Sequence, residues 1–159
     1  MATEEDRRGK RQQDAPPTPE DVLYKARRIW SRDPNKARAT TSEDTEFRGH
    51  FGCGLMVFLT LWNLLVTTDL LPAGGIIKHL LWTLLFMKVY GSQKVLCSLC
   101  GGVDVETFRK WTWLFIAAVS DLESLVVRKH SSSACHHIAL SLIYAFACFF
   151  RSYLRIDSS

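Results

Sequence analysis

The sequence predicts an all-α fold, a small helical bundle that follows a disordered N-terminal tail. Apolar residues recur at steps of three and four over several long stretches, which is the spacing of one face of a helix. Proline and paired glycines separate these stretches, and no stretch shows the alternating pattern of a half-buried strand. Helices joined by short turns are therefore expected throughout the apolar part of the chain.

A sharp change in composition near position 50 sets the expected domain boundaries. Residues 1–50 hold 11 of the 20 Lys and Arg, 10 of the 16 Asp and Glu, and four of the five prolines. Because such a segment can bury little surface, we expect residues 1–43 to form a disordered polar tail with one short helix at 21–30. A helical domain follows over 44–127, and residues 128–159 form an apolar C-terminal tail whose fold the sequence leaves open.

The helices expected in the central domain have recognisable ends. Proline and paired glycines between positions 71 and 75 end the first helix, and Gly91 ends the second. Asp104 is expected to cap the last helix, because an Asp side chain accepts hydrogen bonds from first-turn N–H groups. The capping candidates before the first helix are Ser42, Asp44 and Thr45. The predicted helices lie at 47–70, 76–90, 93–100 and 105–127, with a last apolar run at 138–150.

The segment 93–118 has the shape of a helix-turn-helix. A short helix is followed by a glycine turn and by a helix that carries one apolar stripe, made of Phe108, Trp111, Phe115, Ala118, Val119, Leu122 and Val126. In DNA-binding versions of this motif the first turns of the second helix face the bases and phosphates. The candidate DNA contacts are therefore Thr107, Arg109 and Lys110, with Lys94 as a phosphate contact. The alternative is a helix–loop–helix corner of an ordinary helical core.

Several short motifs follow one another in a distinctive order through the middle of the chain. They are FRGHFGCG at 47–54, LW at 61–62, DLLPAGG at 69–75, HLLWTLLFMKVY at 79–90, GGVD at 101–104, TFRKW at 107–111 and SDLE at 120–123. In order and spacing they resemble the segment before the catalytic domain of DDE superfamily endonucleases, the Harbinger-like transposases of eukaryotic mobile elements. The resemblance covers about residues 47–127, half of the chain.

The resemblance implies a protein without catalytic activity of its own. In that family the catalytic carboxylates lie downstream, in an RNase H-like domain where two metal ions activate water and the DNA 3′ hydroxyl. Beyond Glu123 the only acidic residue is Asp157, so nothing corresponds to that carboxylate set. We therefore expect a non-catalytic, truncated transposase fragment with no catalytic residues, metal or cofactor. Its expected partner is double-stranded DNA, no small-molecule substrate is evident, and its expected location is nuclear or otherwise intracellular.

The five cysteines favour a reduced compartment over a disulfide framework. Their number is odd and no secretory signal precedes them. Cys97 and Cys100 form one CxxC pair, and Cys135, His136 and His137 would be distant partners in a zinc site. A single CxxC followed by such a cluster is a weak zinc pattern, because tetrahedral zinc needs four converging ligands. We expect small residues packing at a helix crossing, and no metal site.

The alternative interpretation is a small integral membrane protein with apolar helices at 51–71 and 137–150. A spanning helix needs about 20 apolar residues. The first candidate contains Asn63 and reaches that length only with Asp69, and the second has a 13-residue apolar run at 138–150 that precedes Arg151 and Arg155. The two middle helices carry several charges and favour a packed helical core.

Overall fold

Our computed structural model describes residues 16–30, 43–89 and 91–129. Within them the chain forms six helices and no strand, which confirms the all-α prediction. The helices are α1 (Pro19–Trp30), α2 (Glu43–Phe51), α3 (Leu55–Thr67), α4 (Ile77–Val89), α5 (Gln93–Leu99) and α6 (Val105–Lys129). The remaining stretches of the predicted tail, at 1–15 and 31–42, and residues 130–159 lie outside the described residues.

Helix α1 belongs to the core, although the sequence assigned it to the tail. Thr18 and Asp21 cap it reciprocally: the Asp21 N–H donates to Thr18 Oγ1 at 3.2 Å, and the Thr18 N–H donates to Asp21 Oδ2 at 3.3 Å. The side chains of Val22 and Ala26 are fully buried, and α1 packs against α2, α3 and α4. The apolar stripe of this short helix therefore covers one side of the bundle.

The prediction of one continuous helix over 47–70 is wrong, because the helix is interrupted at residues 52–54. Helices α2 and α3 are bent by 61° relative to each other, and Gly52 adopts a φ of +79°. Asp44 stabilises the break: its Oδ1 accepts a hydrogen bond from the Leu55 N–H at 2.8 Å, and its Oδ2 accepts one from Arg48 at 3.4 Å. Asp44, a capping candidate for the start of the first helix, thus caps the second one instead.

Helices α4 and α6 form the most extensive contact in the bundle. The predicted stripe of α6 is buried at Phe108, Phe115, Ala118, Val119 and Leu122, whereas Trp111 is half-buried and the side chain of Val126 is not described. The turn before α4 fits closely against α6, because a Cβ on Gly75 would lie 2.8 Å from the Pro72 carbonyl oxygen and 3.0 Å from Phe115. Three of the predicted contact residues, Thr107, Arg109 and Lys110, lie on α6 of this pair.

In the part of the chain that the structure describes, the candidates for a membrane span are limited to one pair of helices. None of the single helices in that part combines the necessary length with a sufficiently apolar composition. Taken together, α2 and α3 meet both conditions, but as a bent pair. The predicted apolar segment 51–71 therefore corresponds to the end of α2, the break and α3, while the segment 137–150 lies outside the described residues.

Candidate nucleic-acid interface

The turn between α5 and α6 is held by backbone hydrogen bonds. The Gly102 N–H donates to the Cys97 carbonyl oxygen at 2.9 Å, and the Gly101 N–H donates to the Ser98 carbonyl oxygen at 3.3 Å. This paired arrangement ends a helix when left-handed residues follow it. Gly101 and Gly102 provide them, with φ values of +89° and +75°. The two adjacent glycines therefore fix where α6 begins.

Asp104 caps α6, as the sequence predicted. Its Oδ2 accepts a hydrogen bond from the Thr107 N–H at 3.0 Å, and its carbonyl oxygen accepts one from the Phe108 N–H at 2.9 Å. Phe108 is buried against α4, where its ring lies 5.8 Å from that of Trp82. The cap and this anchor together orient the first turns of the helix.

The four predicted contact residues are all exposed, but they do not share one face. Thr107 and Lys110 are three residues apart on α6, so their side chains are neighbours on its surface. Arg109 follows Thr107 by two residues, a rotation of roughly 200° about the helix axis, and therefore points to another side. Lys94 lies on α5, on the other side of the glycine turn. Thr107 and Lys110 thus form the compact part of the predicted set.

An aromatic stack joins α4 and α6 beneath this surface. The imidazole of His79 stacks on Trp111 at 3.9 Å between ring centroids with an interplanar angle of 15°, and lies 5.1 Å from Trp82. Lysine ammonium groups lie over both tryptophans, Lys78 at 5.0 Å from the Trp82 ring and Lys110 at 5.5 Å from the Trp111 ring. Such distances allow cation–π attraction.

His79 is an uncharged member of this stack. Burial, and secondarily the charge of Lys78, lowers the pKa of His79 from 6.5 to about 4. Its Nδ1 accepts a hydrogen bond from the Ile76 N–H at 3.4 Å, which also requires that nitrogen to be unprotonated. At neutral pH the positive charge of the stack therefore comes from the two lysines.

Lys78 was not among the residues that sequence reasoning selected. Its spacing of four residues from Trp82 is a local signal that could have paired the two on one helix face. The contact of His79 with Trp111 joins positions 32 residues apart, and no local pattern predicts it. The charge of the surface is also mixed, because Glu106 is exposed in the first turn of α6.

The cysteines of the CxxC pair are buried packing residues. Cys97 and Cys100 are free thiols, each 4% exposed, and burial with the neighbouring Cys97 raises the pKa of Cys100 to about 12. A metal ligand must be a thiolate, which burial disfavours here. Among residues 16–30, 43–89 and 91–129 no group of three or more metal-binding side chains comes together. Cys135, His136 and His137 lie outside the described residues.

Comparison with known proteins identifies no relative of this chain. No protein-family profile matches it, and searches of curated proteins and of solved structures give no match either.

Proposed function

We propose that this protein binds duplex DNA through Thr107 and Lys110 at the start of α6. The observation that supports this most is the capped first turn, where Asp104 fixes the helix end and two polar side chains lie exposed side by side. Exposed N-terminal turns of a second helix are the part of a helix-turn-helix that meets DNA. Lysine and threonine side chains contact phosphate oxygens, and such contacts supply most non-specific affinity.

We further propose that the chain acts as a non-catalytic relative of the N-terminal part of DDE transposases. The support is the order of its motifs over residues 47–127. Purified protein with Mg²⁺ or Mn²⁺ is expected neither to nick nor to join DNA. Metal-dependent cleavage that persists through stringent purification would contradict this proposal.

The binding proposal is tested by fluorescence anisotropy of the full chain with labelled duplex DNA at several salt concentrations. Lys110→Ala should reduce the log–log salt slope by about 0.9, because one phosphate contact is lost. Arg109→Ala should have a smaller effect, since Arg109 points away from the Thr107 and Lys110 side. Lys88→Ala is the matched control, because Lys88 is exposed near the far end of α4.

Two outcomes would overturn the proposal. One is a wild-type protein that binds no duplex even at low salt. The other is a Lys110→Ala variant with the same affinity and slope as the wild type and the Lys88→Ala control, which would reduce the helix-turn-helix to a structural corner.

The membrane alternative keeps one supporting observation, the bent pair of α2 and α3. Against it, Phe58 and Leu65 of α3 are fully buried within the bundle and do not face outward. We expect carbonate extraction of cell membranes to release the protein into the supernatant or as an aggregate. Stable retention in the bilayer fraction would favour the alternative.

A further inference from the structure

We propose that Lys78 of α4 is a second phosphate contact of this interface, held in one surface with Lys110 by the stacked rings of Trp82, His79 and Trp111. The inference rests on the proposed DNA binding and extends it from one helix to two. It assigns a role to a residue outside the helix-turn-helix segment.

A continuous series of contacts connects the two lysines. It runs from the Lys78 ammonium to Trp82, to His79, to Trp111 and to the Lys110 ammonium, with steps between 3.9 and 5.5 Å. The rings belong to the tightly packed pair of α4 and α6, and Trp82 is 3% exposed. The two ammonium groups belong to different helices and are thus connected through packed aromatic rings.

Lys78 is also linked to the first turn of α6 through the Trp82 ring. Trp82, on which Lys78 rests, contacts Phe108 in the first turn of α6. Through these two contacts Lys78 is linked to the start of α6, where the proposed DNA contacts lie.

The tryptophan rings reduce the entropy that these two lysines would lose on binding DNA, compared with lysines that move freely. A lysine side chain loses rotamer freedom when it is held in a contact, and this loss weakens binding. Here each ammonium group already lies over a tryptophan ring, and both lysines are exposed to solvent.

The test compares Lys78→Gln with Lys88→Gln in the full chain, by duplex-DNA anisotropy over a salt series. Both lysines are exposed on α4, but only Lys78 belongs to the aromatic stack. Lys78→Gln should lower the log–log salt slope by about 0.9, and the double variant Lys78→Gln with Lys110→Gln by about twice that. Lys110→Gln alone should lower the slope by about 0.9 and Lys88→Gln should leave it unchanged, and circular dichroism should show equal helicity in the wild type and all four variants.

The outcomes separate this inference from the proposed function. If the wild type binds no duplex, both are overturned. If Lys110→Gln lowers the slope and Lys78→Gln behaves like Lys88→Gln, DNA binding through α6 stands and the role of Lys78 is overturned. If Lys78→Gln loses helicity, Lys78→Met decides, because it keeps an apolar side chain over Trp82 without the charge: a slope lowered by about 0.9 supports the contact, and the wild-type slope contradicts it.

Discussion

Asp44 accepts a hydrogen bond from a backbone N–H eleven residues further along the chain, at Leu55. An acceptor at a helix start stabilises a protein by about 0.5–2 kcal/mol, because the first N–H groups have no partner within the helix. We predict that Asp44→Ala lowers the free energy of unfolding by about 1 kcal/mol in urea titrations, while Asp44→Asn retains most of the stability. Glu46→Ala, on the same helix, is the control and should change little. Equal effects of the two alanine variants would contradict the assignment of the cap.

His79 makes stability depend on pH in a predictable direction. Its pKa is lowered from 6.5 to about 4 in the folded state, so the unfolded chain binds the proton more readily. The neutral His79 therefore contributes to the free energy of unfolding above pH 6.5, and this contribution is lost as the pH falls towards 4. The loss is at most about 3 kcal/mol. We predict that His79→Asn flattens the pH dependence of urea unfolding between pH 6.5 and 4.

The control for His79 is His50, which stacks on Trp30 and has a pKa that burial lowers against the opposing charge of Glu46. His50 is an exposed residue whereas His79 is buried, so burial shifts the pKa of His50 less, and His50→Asn should keep most of the acid destabilisation. A His79→Asn variant with the pH dependence of the wild type would contradict the buried, neutral state of the imidazole.

At the scale of elements, Gly75 and Gly49 differ in the space that a side chain would have. A Cβ on Gly75 would lie 2.8 Å from a backbone carbonyl oxygen and 3.0 Å from Phe115, whereas a Cβ on Gly49, within α2, would meet nothing within 4 Å. We predict that Gly75→Ala destabilises the protein by about 1–3 kcal/mol through overpacking. Gly49→Ala should stabilise it by about 0.5–1 kcal/mol, because alanine favours the helix. Thermal unfolding of the two variants should move in opposite directions, and a shared direction would contradict the packing of the turn.

The elements that sequence predicted correctly are those with local causes. The cap of Asp104 on α6 and the buried stripe from Phe108 to Leu122 depend on residues within a few turns of each other. The break between α2 and α3 was missed, because a hydrogen bond that the Leu55 N–H donates to Asp44, eleven residues earlier in the chain, stabilises it. Lys78 was missed for the same reason, since the stack that relates it to Lys110 joins two helices. The apolar pattern of the sequence predicts a helix and its buried face, but it does not predict which other helix that face contacts.

For the whole molecule, the decisive question is whether α1 is part of the folding unit. Val22 is fully buried against the other helices, whereas Tyr24, two residues later on the same helix, is 58% exposed. Removing two methyl groups from a buried position costs about 2 kcal/mol, since burial is lost and a cavity remains. We predict that Val22→Ala lowers the free energy of unfolding by about 2 kcal/mol, with one cooperative transition for the whole helical unit.

Tyr24→Ala is the matched control, because an exposed ring contributes little burial and its loss should change stability by less than about 0.5 kcal/mol. Circular dichroism and tryptophan fluorescence should give the same urea midpoint for Val22→Ala, since Trp62 and Trp82 lie in the core that α1 covers. If Val22→Ala unfolds with the wild-type midpoint, α1 is a dispensable part of the tail. If it unfolds earlier, a fragment that begins after residue 30 lacks part of its core, so the DNA-binding experiments require the full chain.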